Sequence, residues 1–463
     1  MTTLETTTPE TTTRSTSAVV LVVSVAAFLA TLDLFIVNIA FPAIQTAFGN
    51  ADLGAMSWIL NAYTVVFAAF LSPAGRLGDR YGHRRIFLCG LAVFTVGSLA
   101  CGCSVSFAML IAARVVQAVG AAMLMPSSLA LLMAAVPATR RARAVSTWAA
   151  VGAMAAALGP PVGGVLVTLS WRWIFLVNIP FALLALAIPP WVLAKTRTAA
   201  AGVPDLVGAL SLVIGVAALV WAIVELPNPA ANVAIVSAVA LLAVGAIGVT
   251  VWRSRRHHTP AIDLAAVSAM PMWASSVALL LFSAAFGAML LGNVILLVTI
   301  WHQTAAVAGL CLSPGPVVVV LVSLTVSGRL INRYGVGAVA AAGATLYAMG
   351  MVFWLCRIGY EPSYLAEYLP GQILSGAGVG LVIPSLSSVA GKALPSHQWG
   401  SGSALVNTAR QLGTVLGTAM LTVVLQSGPT LTAIRHGWEL ITAAAALSAV
   451  IAATLAFALR TPA

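Results

Sequence analysis

Charge is scarce in this sequence of 463 residues, and its scarcity excludes most classes of soluble protein. Only 7% of the residues are charged and 11 are acidic, whereas 61% are hydrophobic and the mean hydropathy is +1.04. Soluble domains carry about 25% charged residues. The five cysteines lack the spacing of metal ligands, and there is no phosphate-binding loop or large soluble region, so we expect no metal centre, no cofactor and no enzymatic activity. The composition is typical of a polytopic membrane protein.

Apolar segments long enough to cross a bilayer recur along the whole chain. A transmembrane helix needs about 20 consecutive, mostly apolar residues. Fourteen segments meet this requirement, near 18–41, 55–74, 86–104, 107–134, 144–168, 173–193, 205–225, 231–252, 272–300, 304–328, 336–356, 364–391, 401–426 and 437–458. An even number of spans predicts that both termini lie on one side of the membrane.

The basic residues predict which side that is. Seventeen of the 22 lysines and arginines fall on the side of the N-terminus, three on the opposite side and two inside spans. Because basic loops are retained in the cytoplasm, both termini are predicted to be cytoplasmic, in a cell inner (plasma) membrane. The formal charge of +11 is spread over short loops, so we expect no nucleic-acid partner. The threonine-rich residues 1–17 predict a disordered tail, and the preference for arginine over lysine is typical of a GC-rich bacterium.

An internal repeat predicts the architecture. The stretch "GRLGDRYG" at 75–82 matches "GRLINRYG" at 328–335 in six of eight positions. Further pairs lie at a constant offset of 258, namely Gly120 and Gly378, Pro126 and Pro384, Ser127 and Ser385, Pro137 and Pro395, and Gly159 and Gly417. The repeat advances eight spans, two more than a duplicated six-helix unit, so spans seven and eight are predicted to be inserted. We expect two six-helix bundles, 18–197 and 263–463, with two linker helices in 198–262.

Four stretches carry a resemblance to a known family. They are "TLDLFIVNIAFP" at 31–42, "GRLGDRYGHRR" at 75–85, "RVVQAVGAAMLMPSS" at 114–128 and "GAMAAALGPPVGG" at 152–164. In these stretches the chain resembles the major facilitator superfamily, specifically its fourteen-span drug:proton antiporters. The resemblance implies an all-α major facilitator fold and export of antibiotics or other drugs, driven by the proton gradient. The first stretch departs from the family pattern, because Phe35 stands where a threonine is usual.

The resemblance also implies roles for groups of residues. It implies that Arg114 contributes to proton coupling together with Asp33. It implies a cytoplasmic gate made by Gly75, Arg76, Gly78, Asp79, Arg80, Gly82 and Arg84. It implies an antiporter motif on the fifth span, made by Gly152, Gly159, Pro160, Pro161, Gly163 and Gly164. The negative charge of Asp79 is expected to lie at the start of span thirteen, near 400–403, since helix starts attract anions.

Asp33 is the only acidic residue predicted to lie deep inside a span. At 1.5 Å per residue it lies roughly 22 Å along a helix that begins at Ala18, in the outer half of the membrane, and Arg114 enters to a similar depth from outside. A charge in hydrocarbon costs about 2.5–3.5 kcal/mol and normally faces a partner or a cavity. We therefore expect the two side chains to meet and Asp33 to alternate between proton and substrate. The alternative is a structural contact of Asp33 with Asn38 or Arg114.

The substrate cavity is predicted to draw on polar and aromatic side chains within the spans, namely Asp33, Asn38, Asn61, Tyr63, Gln117, Trp148, Arg410 and Gln411. Because no second carboxylate lies deep, we expect neutral or monocationic lipophilic substrates.

The expected partners are this small molecule, protons and the lipid bilayer, and the protein is expected to act as a monomer. Two alternatives stay open: a proton-coupled or facilitative uptake transporter of a small nutrient, and a membrane sensor or scaffold that transports nothing.

Overall fold

The computed structural model describes residues 16–49, 53–137, 140–187, 192–193, 202–228, 231–264, 269–394, 399–426 and 428–458, and within these ranges the regular structure is entirely helical. Residues 1–15 of the predicted tail and the predicted boundary at 197/198 lie outside these ranges. The division into two bundles and two inserted helices therefore stays a prediction at that boundary.

Helices follow one another in the described chain with short connections. In order they are α1 Thr16–Ala47, α2 Leu53–Tyr81, α3 His83–Gly102, α4 Phe107–Ala135, α5 Arg141–Leu169, α6 Asn178–Ala187, α7 Leu206–Glu225, α8 Val233–Arg256, α9 Met270–Ile300, α10 Ala305–Tyr334, α11 Val336–Arg357, α12 Tyr364–Ala393, α13 Trp399–Leu425 and α14 Leu431–Ala458. Thirteen of them are long and apolar enough to cross a membrane. The protein is therefore an all-α, multi-pass membrane protein.

The predicted sixth span, 173–193, is not among the thirteen helices that are long enough to cross a membrane in the described residues. In the structure it consists of a single turn, Trp173–Leu176, followed by α6, which together make an apolar stretch shorter than the other spans. Residues 188–191 and 194–201 lie outside the described ranges, so the count of fourteen spans stays a prediction.

Both copies of the repeated motif end a helix at a glycine in the left-handed region. The stretch 75–85 resembled a loop, but α2 continues through it to Tyr81, and Gly82 alone, with φ of 93°, separates α2 from α3. In the second copy Gly335, with φ of 86°, separates α10 from α11. Only glycine adopts such angles without strain, which explains why both copies end in this residue. In each copy the turn between the two helices is a single residue.

The helix contacts repeat between the two halves of the chain. Helix α3 packs along α4, and α11 packs along α12. In each pair two glycines face each other, because a Cβ on Gly120 would lie 2.8 Å from the carbonyl oxygen of Gly90, and one on Gly378 would lie 2.6 Å from that of Gly343. Small residues allow such close backbone contact in membranes. The equivalence of Gly120 and Gly378 predicted from the sequence thus has a structural counterpart.

The two halves contact each other on the predicted outer side. The largest apolar cluster joins the outer part of α1 to helices of the second half, whereas the inner part of α1 packs in a separate cluster within the first half. The rings of Phe35 on α1 and Phe286 on α9 lie 6.3 Å apart, edge to face. A Cβ on Gly164 of α5 would overlap the backbone of Ala305 on α10. The two halves therefore pack against each other on this side, and α2 also contacts α13, where the Thr408 hydroxyl donates to the carbonyl oxygen of Ala68 at 3.5 Å.

Candidate functional site

Asp33 and Arg114 form an ion pair in the interior of the first half. Nη1 of Arg114 lies 2.5 Å from Oδ2 of Asp33. Asp33 has no exposed surface and Arg114 is 1% exposed. The short distance and the burial both follow from the position of the two residues on facing sides of α1 and α4. The pair is electrically neutral as a unit and isolated from solvent.

Uncharged polar side chains from α3, α4 and α6 complete the environment of the carboxylate. Nε2 of Gln117 donates to Oδ1 of Asp33 at 2.8 Å, and Nδ2 of Asn178 on α6 donates to the same oxygen at 3.4 Å. Both amides also donate to Ser98 on α3, each at 3.1 Å. The Ser98 hydroxyl in turn donates to the carbonyl of Phe175 at 2.8 Å. The network therefore holds α1, α3, α4 and the start of α6 together.

The guanidinium of Arg114 is enclosed as completely as the carboxylate. Its Nε donates to the carbonyl oxygen of Ile59 at 3.1 Å, and its Nη1 donates to Oε1 of Gln117 at 2.7 Å. The ring of Tyr63 covers one face, with its centroid 4.2 Å from Cζ, and Phe175 lies 5.7 Å away. Such contacts with aromatic faces stabilise a buried cation. Four of the predicted site residues, Asp33, Tyr63, Arg114 and Gln117, are thus in one cluster.

Ser98 and Asn178 belong to this cluster although neither was among the predicted site residues. Both are buried without exposed surface. The signal that could have found them is a single short polar side chain in an otherwise apolar helix, which normally seeks a hydrogen bond inside a membrane protein. Asn178 stands in the stretch "SWRWIFLVNIP" at 170–180.

The remaining residues predicted for the cavity have different surroundings. Asn61 is buried and donates to the Ser57 hydroxyl at 3.3 Å, so its amide forms a hydrogen bond within α2. Asn38 is partly exposed and donates to the carbonyl of Leu34 at 2.9 Å. Trp148 is also partly exposed, but its indole nitrogen is buried and has no hydrogen-bond partner among the described residues.

Arg410 and Gln411 lie in the middle of α13, in the second half. Arg410 is partly exposed, and within the described ranges its guanidinium makes no hydrogen bond or ion pair. Gln411 is 5% exposed, and its Nε2 is buried without an acceptor in the same part of the chain. These two side chains are separate from the cluster around Asp33.

The gate motif is held by a contact within its own segment. The carboxylate of Asp79 lies 3.1 Å from Nε2 of His83, across the turn at Gly82. A Cβ on Gly78 would overlap the His83 ring, so Gly78 makes this contact possible. The expected docking of Asp79 at residues 400–403 is not among the contacts of the described residues, and the side chains at 400 and 401 lie outside them. The expected docking therefore stays a prediction, and in the structure Asp79 lies beside α3, in contact with His83.

The other gate residues surround this contact. Gly75 packs on Pro126 of α4, where an added Cβ would lie at 3.6 Å. Arg76 lines a small cleft with Ser72 of α2 and residues of the segment 260–263 and α13. Arg80 lies over the ring of Tyr81, 5.4 Å from its centroid, and Arg84 is partly exposed in the first turn of α3.

The glycines of the antiporter motif place α5 between α1 and the second half. Added Cβ atoms would lie 2.8 Å from Cβ of Phe35 at Gly159, 2.5 Å from Ile39 at Gly163 and 3.6 Å from Thr31 at Gly152. On another side of α5, Gly164 and the carbonyl of Pro160 contact the first turns of α10, where Gly309 leaves room for that carbonyl. Pro160 and Pro161 lie inside α5. This motif therefore forms part of the contact between the two halves.

A second buried ion pair joins the predicted inserted helices. Asp205 is 1% exposed, and its Oδ1 lies 2.8 Å from Nε of Arg253 on α8. The same oxygen accepts from the backbone nitrogen of Gly208 at 2.8 Å and so caps α7. The sequence did not single out this pair, since Asp205 stands at the edge of a span where a carboxylate is common.

Comparison with known proteins gives one family and several relatives. The model of the "Major Facilitator Superfamily" matches residues 23–281. The multidrug resistance protein Stp of Mycobacterium tuberculosis is 35% identical over 86% of this chain and 74% of its own length. The cephamycin export protein CmcT of Amycolatopsis lactamdurans is 33% identical over 90% of this chain and 86% of its own length.

Solved structures show the same fold at low sequence identity. The inward open xylose transporter XylE from E. coli is similar with a TM-score of 0.66 and 12% identity, covering 94% of this chain and 95% of that one. The human organic anion transporter MFSD10 is similar with a TM-score of 0.64 and 16% identity, covering 96% and 100%. At these identities the similarity concerns the fold alone.

Proposed function

Because this chain belongs to the Major Facilitator Superfamily and has its fold, we propose that it is a drug:proton antiporter that exports lipophilic small molecules, such as antibiotics, by alternating access. The relatives named for multidrug resistance and for export support an efflux transporter as the general class. We place it in the inner (plasma) membrane of a bacterium with both termini in the cytoplasm. The observation that carries proton coupling is the buried Asp33–Arg114 pair.

The proton-motive force is large enough to drive such a cycle. One elementary charge that crosses 100 mV releases about 2.3 kcal/mol. Asp33 is the only deep carboxylate of the first half in the described part of the chain, and it therefore is the group available to carry a proton there. Protonation of Asp33 would remove the charge that Arg114 neutralises, and a buried cation without a partner is costly. The protonated state thus favours a rearrangement of α1 against α4.

A movement of α1 would directly change the contact between the two halves. Phe35 stands two residues after Asp33, pairs with Phe286 of α9 and packs against Gly159 of α5. Asp33 itself has no exposed surface. In this arrangement the carboxylate is therefore inaccessible to a substrate, and the exchange of proton for substrate proceeds through the position of α1.

Transport measurements in proteoliposomes test this proposal. Asp33→Asn keeps the size of the side chain but replaces one acceptor oxygen by an NH2 donor and cannot take up and release a proton, so we expect export of a lipophilic dye driven by a pH gradient to be lost. Glu439→Gln, at a residue whose side chain is 60% exposed, is the matched control and should export like the wild type. Normal proton-driven export by Asp33→Asn would refute the coupling role.

A second measurement separates export from the two alternatives. Energised cells that contain the protein should hold less dye than cells without it, and a protonophore should abolish the difference. Accumulation of the dye would indicate an uptake transporter, and no effect on any compound of a broad panel would favour a sensor or scaffold.

A further inference from the structure

Arg410 is a cation without a counter-ion in the middle of a membrane-spanning helix. It stands 11 residues after the start of α13, about 16 Å along a helix of about 40 Å. Among the residues that the structure describes, no acidic side chain lies within ion-pair distance of it. Arg114, at a similar distance from an end of its own span, is neutralised by Asp33 and is 1% exposed. The two deep arginines therefore have opposite surroundings.

The position of Arg410 on α13 determines what it faces. Two other faces of the helix are occupied: Gly413 and Gly417 contact the backbone of α9, while Val415 and Ala419 pack with α2 and α7. Arg410 lies on the face between these contacts. A charged side chain with solvent access at this depth faces a water-filled space and not lipid.

The rest of this face is polar and partly exposed. Ser403, Asn407, Arg410 and Thr414 follow at intervals of four, three and four residues, and each has solvent access. Asn407 donates to the carbonyl of Ser403 at 3.0 Å, and the Thr414 hydroxyl donates to the carbonyl of Arg410 at 3.1 Å. A polar stripe of this kind, between the contacts of α13 with α9 and with α2, is typical of a helix face that lines an aqueous cavity.

Arg410 and its neighbour Gln411 both have hydrogen-bond donors without acceptors in the described chain. The guanidinium has five N–H donors, and Nε2 of the adjacent Gln411 is buried without a partner in the described chain. An amide nitrogen of this kind is normally paired when it is buried. The site lacks an acceptor and a negative charge, and a carboxylate supplies both, because its two oxygens match the guanidinium in a bidentate geometry.

Aromatic groups lie next to the site on the predicted outer side. Gly287 of α9 packs on the backbone of Thr414, one turn of α13 beyond Arg410. Its neighbour Phe286 pairs with Phe35 of α1. These rings offer an apolar contact for a molecule whose charged end is at Arg410.

We propose that Arg410 binds the carboxylate of the substrate and that the preferred cargo is a lipophilic organic monoanion. This deepens the proposed export function and rests on it. It replaces the neutral or monocationic class expected from the scarcity of deep carboxylates, because the deep carboxylate is already paired and the deep accessible charge is positive.

Export of three probes with one skeleton tests the proposal: a lipophilic carboxylic acid, its methyl ester and the corresponding amine, in proteoliposomes with an imposed pH gradient. The wild type should prefer the acid. Arg410→Gln should reduce export of the acid by on the order of ten-fold or more and leave the ester unchanged, and Arg410→Lys should retain part of it, since lysine keeps the charge but loses the bidentate geometry. Arg357→Gln, at an exposed residue, removes the same charge as a control.

The outcomes separate this proposal from the export function. If the wild type exports the ester or the amine but not the acid, or if Arg410→Gln exports the acid normally, the substrate class is wrong and export stands. If Arg410→Gln is monodisperse in size-exclusion chromatography and loses all three probes, Arg410 has a general role and the assignment to carboxylates is overturned. If the wild type exports none of the three, the antiport function itself fails.

Discussion

Removal of one charge from the Asp33–Arg114 pair should destabilise the protein more than removal of both. The relevant variants are Asp33→Asn, Arg114→Gln and the double variant. Each single change leaves one full charge in a place where the carboxylate has no exposed surface and the arginine is 1% exposed. The double change leaves two neutral amides that can bond to each other and to Gln117. The expected order of stability is wild type, then the double variant, then the two single variants.

The hydrogen bonds of the cluster set the expected size of the effect. Removal of one partner from a buried pair costs about 3–5 kcal/mol. The remaining charge keeps partial compensation, because Gln117 and Asn178 still donate to Asp33, and the Ile59 carbonyl and the Tyr63 ring still contact Arg114. Each single variant should therefore fall near the lower limit, about 3 kcal/mol. The double variant is more stable than either single variant only if the coupling energy between the two sites exceeds about 3 kcal/mol, the upper end for residues in direct contact.

Unfolding in mixed micelles with increasing SDS, followed by tryptophan fluorescence, measures these free energies. The exposed pair of His436 and Glu439 is the control, and Glu439→Gln should change stability by less than about 0.5 kcal/mol. If the effect of the double variant equals the sum of the single effects within about 0.5 kcal/mol, the two charges are not coupled and the interpretation of the cluster is wrong.

Two further predictions concern the packing of the helices. Gly417→Ala places a Cβ against a backbone carbonyl of α9, so we expect a loss of about 1–3 kcal/mol and a lower folded yield in fluorescence-detected size-exclusion chromatography, whereas Gly245→Ala, with no atom within 4 Å, should express normally. Asp205→Asn can still cap α7 but loses the charge that Arg253 binds, and should lower the free energy of unfolding by about 1.5–3 kcal/mol while the export rate per folded molecule is unchanged. An unchanged melting temperature for Asp205→Asn would contradict this assignment.

The depth of a residue in the membrane could be predicted from the sequence, because a helix advances 1.5 Å per residue along one axis. This is why Asp33 and Arg114, on spans that run in opposite directions, were expected at the same level, and they contact each other in the structure. The rotation of each helix was not predictable in this way. Ser98 and Asn178 lie at the same level, but only the rotation of α3 and α6 directs them to Asp33.

The ends of the helices were predicted less well than their centres. The change from apolar to charged residues after about 74 marks the membrane surface, and the loop was placed there. Helix α2 nevertheless continues to Tyr81, because polar residues form helices in water as well, and it ends only where Gly82 adopts a positive φ.

The two deep arginines show which part of the function the sequence leaves open. Both arginines stand inside spans, and the free-energy cost of a charge in hydrocarbon is about the same for both. The number of charges in the spans therefore does not distinguish between them. Arg114 lies on the face of α4 that meets Asp33, whereas Arg410 lies on α13 between the contacts with α9 and with α2 and is partly exposed. The first charge is cancelled and can respond only to a proton on Asp33, and the second is available to a ligand. The charge of the cargo therefore depends on the rotation of α13 more than on the number of acidic residues in the spans.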